Sequence, residues 1–150
     1  MEVEVFWIGK TRLPGVADLT EEYARRIGRY CSFQAQEIRA AKRKSGAGSG
    51  EEGAMLARAA GSYLVALDAA GKQWNSGEFA SFLQRMRDGG TQAIAFCVGG
   101  ADGFSDSFRE NASLLLSLSP LTMPHELARV VLLEQIYRAW TILANHPYPR

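Results

Sequence analysis

Cysteine and histidine are scarce in this chain, with two of each in 150 residues. Cys31 and Cys97 stand far apart and no C-x-x-C occurs. Neither a disulfide framework nor a zinc site is expected, no metal is expected, and a reducing cytoplasm is the compartment that fits. An excess of one charge is also missing. Seventeen Lys and Arg face sixteen Asp and Glu, for a net charge of +1, whereas a protein that holds long nucleic acid by its phosphates alone is usually far more basic. Long apolar runs are absent too. Ala93–Val98 and Ala128–Leu133, the latter broken by Arg129, fall well short of the ~20 residues that span a bilayer, so no membrane partner is expected. Met1-Glu2-Val3-Glu4 carries two acids where a signal peptide has its basic region.

What is present describes one ordinary α/β domain over residues 1–150. Hydrophobic residues make up 47% and charged residues 22%, enough apolar material for a core and too much for a disordered chain. Val3–Ile8 reads as a strand and Leu19–Tyr30 as a helix with apolar residues at three- and four-residue spacing. Phe33–Ile38 suits a short strand, and Ala40–Gly53 is basic and Gly/Ser-rich, a loop composition. A helix resumes over Glu51–Ala60, followed by the apolar strand Tyr63–Asp68. Ser76–Arg87 is a helix with Ser76 as its cap, and Ala93–Val98 and Leu114–Leu118 are further strands around a short helix at Ser105–Asn111. Continuous apolar strands alternating with helices predict a parallel sheet of about five strands, covered on both faces.

The last helix, from Pro124 to about Leu143, carries more apolar surface than one buried face needs. Ala128, Val131, Leu132, Leu133, Ile136, Ala139, Trp140, Ile142 and Leu143 cover over half its circumference, against the ~100° of an ordinary surface helix. Two explanations stand: a second buried face against another copy of the chain, or a helix buried within one chain. Within the apolar arc lie His125 and Arg129. The arginine must pair with a carboxylate, such as Asp68 or Asp102, or face a ligand, because burying it alone is prohibitive. Glu134, Arg138, Thr141 and Asn145 form a separate polar stripe leading to His146-Pro147-Tyr148-Pro149-Arg150. Glu134 and Arg138 can be a surface pair one turn apart or part of a site. A second polar feature is the run Arg25–Lys44, seven bases against the single acid Glu37.

Gly99-Gly100-Ala101-Asp102-Gly103 follows an apolar strand directly and precedes a helix. Glycines there let backbone approach a ligand, and ligands of open parallel sheets sit beyond the carboxyl ends of the strands. Leu67-Asp68 and Leu118-Ser119 end neighbouring strands, so three loops can converge on one site. The loop matches neither the dinucleotide nor the phosphate-loop glycine pattern.

The segments Val98–Gly103, Leu116–His125, Arg129 with Leu133–Ala139, and Asn145–Tyr148 together resemble the RlmH family, and Ile8-Gly9-Lys10, Glu22-Tyr23, Ala66-Leu67-Asp68 and Gly71-Lys72 keep the family's order. These are bacterial enzymes that methylate N3 of a pseudouridine in the 23S ribosomal RNA of the assembled ribosome. The resemblance implies a SPOUT-type α/β knot: a parallel sheet with a C-terminal trefoil knot, in a homodimer that binds S-adenosylmethionine. Carried over by position, the cofactor residues are Leu67, Gly99 and Leu118, Ser119, Pro120, Leu121, Thr122 and Met123. Arg138, Glu134 and His146 are the implied catalytic candidates, and Arg129, Tyr137, Tyr148, Arg150, Lys42 and Arg43 the candidates for holding RNA. One position departs from the pattern, since Pro149 stands where the family usually has a histidine. Two alternatives are set against this expectation: a non-catalytic dimeric module that sits on RNA or ribosomes, and an α/β enzyme using a different nucleotide-like cofactor.

Overall fold

The computed structural model describes residues 1–39 and 50–149. Lys42, Arg43 and Lys44 in the basic run, and Arg150 at the end, lie outside the described residues. Five strands, β1 (Glu2–Ile8), β2 (Ser32–Ile38), β3 (Tyr63–Gln73), β4 (Ala93–Val98) and β5 (Leu114–Ser117), form one sheet in the order β2-β1-β4-β3-β5. Every pairing is parallel. Between them run α1 (Val16–Ile27), α2 (Gly50–Arg58), α3 (Ser76–Asp88) and α4 (Asp106–Asn111), and α5 (His125–Leu143) closes the domain. The parallel α/β sheet is the one that the apolar strands predict.

Alternation along β1 divides the core. Val3, Val5 and Trp7 face α1, α3 and α5, where they join Phe79, Leu83, Leu132, Leu133 and Ile136. Phe6 points the other way, into a smaller cluster with Met55, Leu64, Cys97 and Phe108 under α2 and α4. Both faces are therefore dry, which explains why β4 reads as an unbroken apolar run. The inner Cys97 thiol is pushed up to about 12 by burial, so it packs as a small apolar group.

Several boundaries differ from the sequence expectation, α1 running Val16–Ile27 where Leu19–Tyr30 is expected, and three of them have a local reason. Asn75, not Ser76, caps α3: its side chain accepts the Glu78 amide at 2.8 Å, and Glu78 reaches back to the Asn75 amide, a reciprocal capping box. Pro124 is the cap residue of α5 and not its first helical residue. Strand β3 continues past Asp68 because its end doubles onto β5, with Leu67 and Lys72 both paired to Leu116. That approach needs a glycine at position 71, where a Cβ would fall 2.6 Å from the Leu115 carbonyl carbon.

Helix α5 lies on the sheet between α1 and α3. Leu132, Leu133, Ile136, Ala139 and Trp140 are all buried inside one chain. Its wide apolar arc is thus largely accounted for by three neighbours in the same domain, leaving Leu127 and part of Val131 and Ile142 at the surface. Among the described residues no helix is long and apolar enough to cross a membrane, and no group of His, Cys, Asp and Glu is placed to hold a metal.

Candidate functional site

Beyond the carboxyl ends of β3, β4 and β5 the three loops converge as their positions predict, around a cleft of about 200 Å³. Leu67, Gly99, Leu118, Ser119, Leu121, Thr122 and Met123 all line it; Pro120 does not. Backbone geometry makes the wall. Gly103 adopts φ +72° and its amide donates to the Gly100 carbonyl at 3.0 Å, folding the glycine loop back on itself. A Cβ on Gly99 would lie 3.1 Å from the Gly103 backbone, so the turn tolerates no side chain there without shifting. Ser119 shapes the next loop, its hydroxyl accepting the Leu121 amide at 2.9 Å. A second cavity of about 290 Å³ shares Leu116, Ser117 and Leu118 and extends toward Trp74, Val131 and Gln135. Side by side the two fall within the usual size of cofactor sites, ~300–1,000 Å³.

The lining is chemically quiet. Its ionisable members are Asp68 and His125. The Asp68 carboxylate is engaged, pairing with Arg109 at 2.8 Å and accepting the Ala70 amide at 2.8 Å. His125 is half-buried at the start of α5. Leu121 lines the cleft yet is 78% exposed, an apolar side chain standing where a flat ring would cover it. Asp68, Ser117, His125 and Ala128 complete the wall but were not among the implied cofactor residues. Only their places within β3, at the last residue of β5 and on the first turns of α5 could have marked them.

The second group of candidate residues gathers elsewhere, at the far end of α5. Arg138 donates through Nη2 to Glu134 Oε2 at 2.6 Å, and more weakly through Nε to Oε1. Tyr148 donates to the same carboxylate at 2.9 Å, and Arg138 also binds the Pro149 carbonyl. The guanidinium lies 4.7 Å from the Tyr148 ring centre, and that ring meets Tyr137 edge-on at 4.9 Å. Hydrogen bonding to Glu134 holds Arg138 above its ordinary value, so it is a permanent cation. Partial burial, then hydrogen bonds to Tyr23 and Glu134, push the Tyr148 phenol well above its usual range. It acts as a neutral donor. His146 is exposed and shares a hydrogen bond of 2.6 Å with the Tyr30 hydroxyl through Nδ1. Thus Glu134, Tyr137, Arg138, His146 and Tyr148 are one aromatic-walled cluster, while Thr141 turns inward and bonds the Arg138 carbonyl.

Arg129 belongs to neither group. It is 1% exposed, donates to the Thr11 hydroxyl at 2.6 Å, and lies flat over Trp7 at 4.2 Å. Neither Asp68 nor Asp102 pairs with it, since Asp68 is taken by Arg109. Burial lowers its pKa, and Glu126 and Glu37 offset this at longer range.

A glycine-walled cleft after three parallel strands defines a nucleotide-cofactor fold, and comparison names the class. The family described as predicted SPOUT methyltransferase matches residues 1–149, and the chain belongs to that family. S-adenosylmethionine is the family's methyl donor, and the apolar, backbone-rich cleft suits it. More particularly, the chain is 44% identical over 151 residues to the ribosomal RNA large subunit methyltransferase H of Geotalea daltonii, covering 99% of each. It is 42% identical over 154 residues to that of Koribacter versatilis, covering 99% of this chain and 97% of the relative. Among solved structures, the "probable methyltransferase" of Bordetella pertussis shares the fold with a TM-score of 0.59 at 14% identity, over 92% of this chain and 95% of that one. The "putative methyltransferase" of Legionella pneumophila, solved with bound SAM, aligns with a TM-score of 0.52 at 16% identity, over 91% of this chain and 65% of its own.

Proposed function

We propose that this methyltransferase acts on N3 of a pseudouridine in large-subunit ribosomal RNA, on the assembled ribosome, as a knotted homodimer. The observation that carries the reading is the pair of sites on one helix: a cofactor-sized cleft at the start of α5 and a cationic aromatic cluster at its end. The relatives' name points to large-subunit ribosomal RNA.

When bound, S-adenosylmethionine supplies a methyl group on a sulfonium. Leu67, Gly99 and Leu118–Met123 would hold it, with Pro120 shaping the loop without facing the cleft. The one carboxylate in the wall, Asp68, is already paired with Arg109, which leaves the sulfonium without a tight counterion. The attacking imide nitrogen must lose a proton, so negative charge grows on the ring. Arg138, always protonated and oriented by Glu134, is built to stabilise that charge. Tyr137 and Tyr148 provide faces on which a base can stack. Glu134 already accepts from Arg138, Gln135 and Tyr148, which favours orienting over proton transfer. Pro149 contributes its carbonyl to Arg138 in place of a titratable ring.

Ten residues of α5 separate Ala128, in the cleft, from Arg138, about 15 Å along the axis. In-line transfer needs the reacting atoms roughly 3–3.5 Å apart. A two-fold dimer that sets one protomer's cleft against its partner's cluster would close this gap, and this supports the homodimer where α5's apolar arc, largely buried within one chain, does not.

Transfer of labelled methyl from S-adenosylmethionine to ribosomes lacking the modification is the test, with free ribosomal RNA as control. Label on one pseudouridine of the ribosomal particle is expected. Label on protein or on small RNA alone would overturn the assignment.

A further inference from the structure

The loop between β1 and α1, residues 9–15, is held with unusual effort by the first turns of α5. Glu126, 7% exposed, accepts the Arg12 amide at 2.7 Å and the Leu13 amide at 3.1 Å through one carboxylate oxygen. Arg129, buried one turn later, donates to the Thr11 hydroxyl at 2.6 Å. His125 stands against Gly9, its Nε2 only 3.5 Å from where a Cβ would sit, and Gly9 itself has φ +100°. Two buried charges on one helix thus hold this loop, Glu126 through two backbone amides and Arg129 through one hydroxyl. Burying charge is costly, and of the two only Arg129 also covers a core ring, that of Trp7.

What the fixed backbone displays is basic. Lys10 and Arg12 are exposed, and neither forms an ion pair among the described residues. Of the acids near the loop, Glu126 is committed to the loop amides and Glu37 to Arg39 at 3.0 Å, while Glu21 shares a groove with Thr11. The loop also begins at the cleft. Gly9 touches His125, and Gly100 sits against Ile8, with His125 and Gly100 both lining the cleft wall. On its other side Ile8 is in register with Ile38, so Arg39 leaves the sheet at the same edge.

We propose that the Lys10–Arg12 loop is a phosphate-binding ledge for the substrate RNA, carrying its backbone along the carboxyl edge of the sheet into the cofactor cleft. It rests on the RNA-methylating function proposed above and adds the surface that aligns the strand. Glu126 and Arg129 are positioning residues, acting on RNA only through the loop they hold. The chemistry fits a phosphodiester strand better than a lone anion, because the two cations are both exposed, on either side of the half-buried Thr11.

The double variant Lys10→Ala/Arg12→Ala tests this in the intact protein, using ribosomes lacking the modification. KM for ribosomes should rise about tenfold or more at moderate salt, and the dependence of log KM on log salt should flatten by about 1.4, the share of two single-strand phosphate contacts. Affinity for S-adenosylmethionine, measured by calorimetry, should not move. Glu126→Ala should also raise KM but leave the salt slope at its wild-type value, because both cations remain. An unchanged KM and salt slope in the double variant would overturn the proposal. Wild-type protein that fails to methylate ribosomes would instead overturn the function it rests on, and the two failures are told apart by the wild-type control.

Discussion

Gly71 shows how much a single missing side chain can decide. Its Cα is pressed against the β5 backbone so closely that a Cβ would meet the Leu115 carbonyl carbon, its oxygen and the Leu116 amide at 2.6–2.7 Å. All three are main-chain atoms that cannot swing aside, so strand and loop must separate. Gly71→Ala is expected to cost at least about 2 kcal/mol of stability, an overpacking penalty at the upper end for one methyl group. Denaturant unfolding checks it, and a midpoint equal to wild type would show that the β3–β5 approach is looser than described. The sequence gives little warning of this role. Ala69-Ala70-Gly71-Lys72 reads as an ordinary turn after an apolar strand, because the contact that demands glycine comes from a strand more than forty residues later. Gly99, in contrast, could be singled out, since it follows an apolar strand directly and strand ends in parallel sheets meet ligands.

At the scale of elements, apolar runs located β3, β4 and β5, because both faces at the centre of this sheet are covered, whereas the edge strand β2, SFQAQEI, alternates polar and apolar residues and stays largely half-exposed. Polar partners were harder to find. Arg129, expected to pair with a carboxylate or to face a ligand, has no carboxylate partner among the described residues and combines a hydroxyl with an aromatic face. Glu126 was unremarked, because its partners are backbone amides 113 and 114 positions away. Its attachment predicts a pH dependence. Hydrogen bonds from the Leu13 and Arg12 amides, with Arg129 and His125 nearby, lower the Glu126 pKa below the usual carboxylate value despite its burial. A carboxyl with a lowered folded value stabilises the fold above its unfolded pKa and loses that contribution as pH falls through the lower one. Glu126→Gln can still accept both amides but cannot titrate. Its melting temperature should lie below wild type at neutral pH and converge with it in acid. Parallel curves across the range would mean that the charge on Glu126 contributes nothing to holding the loop.

For the molecule as a whole, the decisive question is whether cleft and cluster on one chain ever work together. Along α5 they are about 15 Å apart, and Arg138 is fixed in place by Glu134 and by the chain's own tail at Pro149. A rigid helix cannot bring its two ends to one bond. Two inactive variants separate the possibilities. Gly99→Trp drives a large ring into the Gly103 backbone and should eliminate cofactor binding while leaving α5 intact. Arg138→Ala keeps the cleft and removes the cation proposed to stabilise the imide anion, which should lower the transfer rate about 10²–10³-fold. Each should be nearly inactive by itself. Co-refolded in equal amounts, about half of the dimers would hold one chain of each kind under random pairing. If the cleft of one protomer works with the cluster of its partner, every mixed dimer contains one site with both parts intact and one with neither. Activity should then recover to about a quarter of wild type, the share of intact sites in a symmetric dimer. If both parts act within one chain, every site in the mixture carries a defect and no activity returns. Recovery would therefore establish a composite site built across two chains, whereas its absence in a folded, mixed dimer would require α5 to deliver both ends to one substrate, which its length forbids without a large rearrangement.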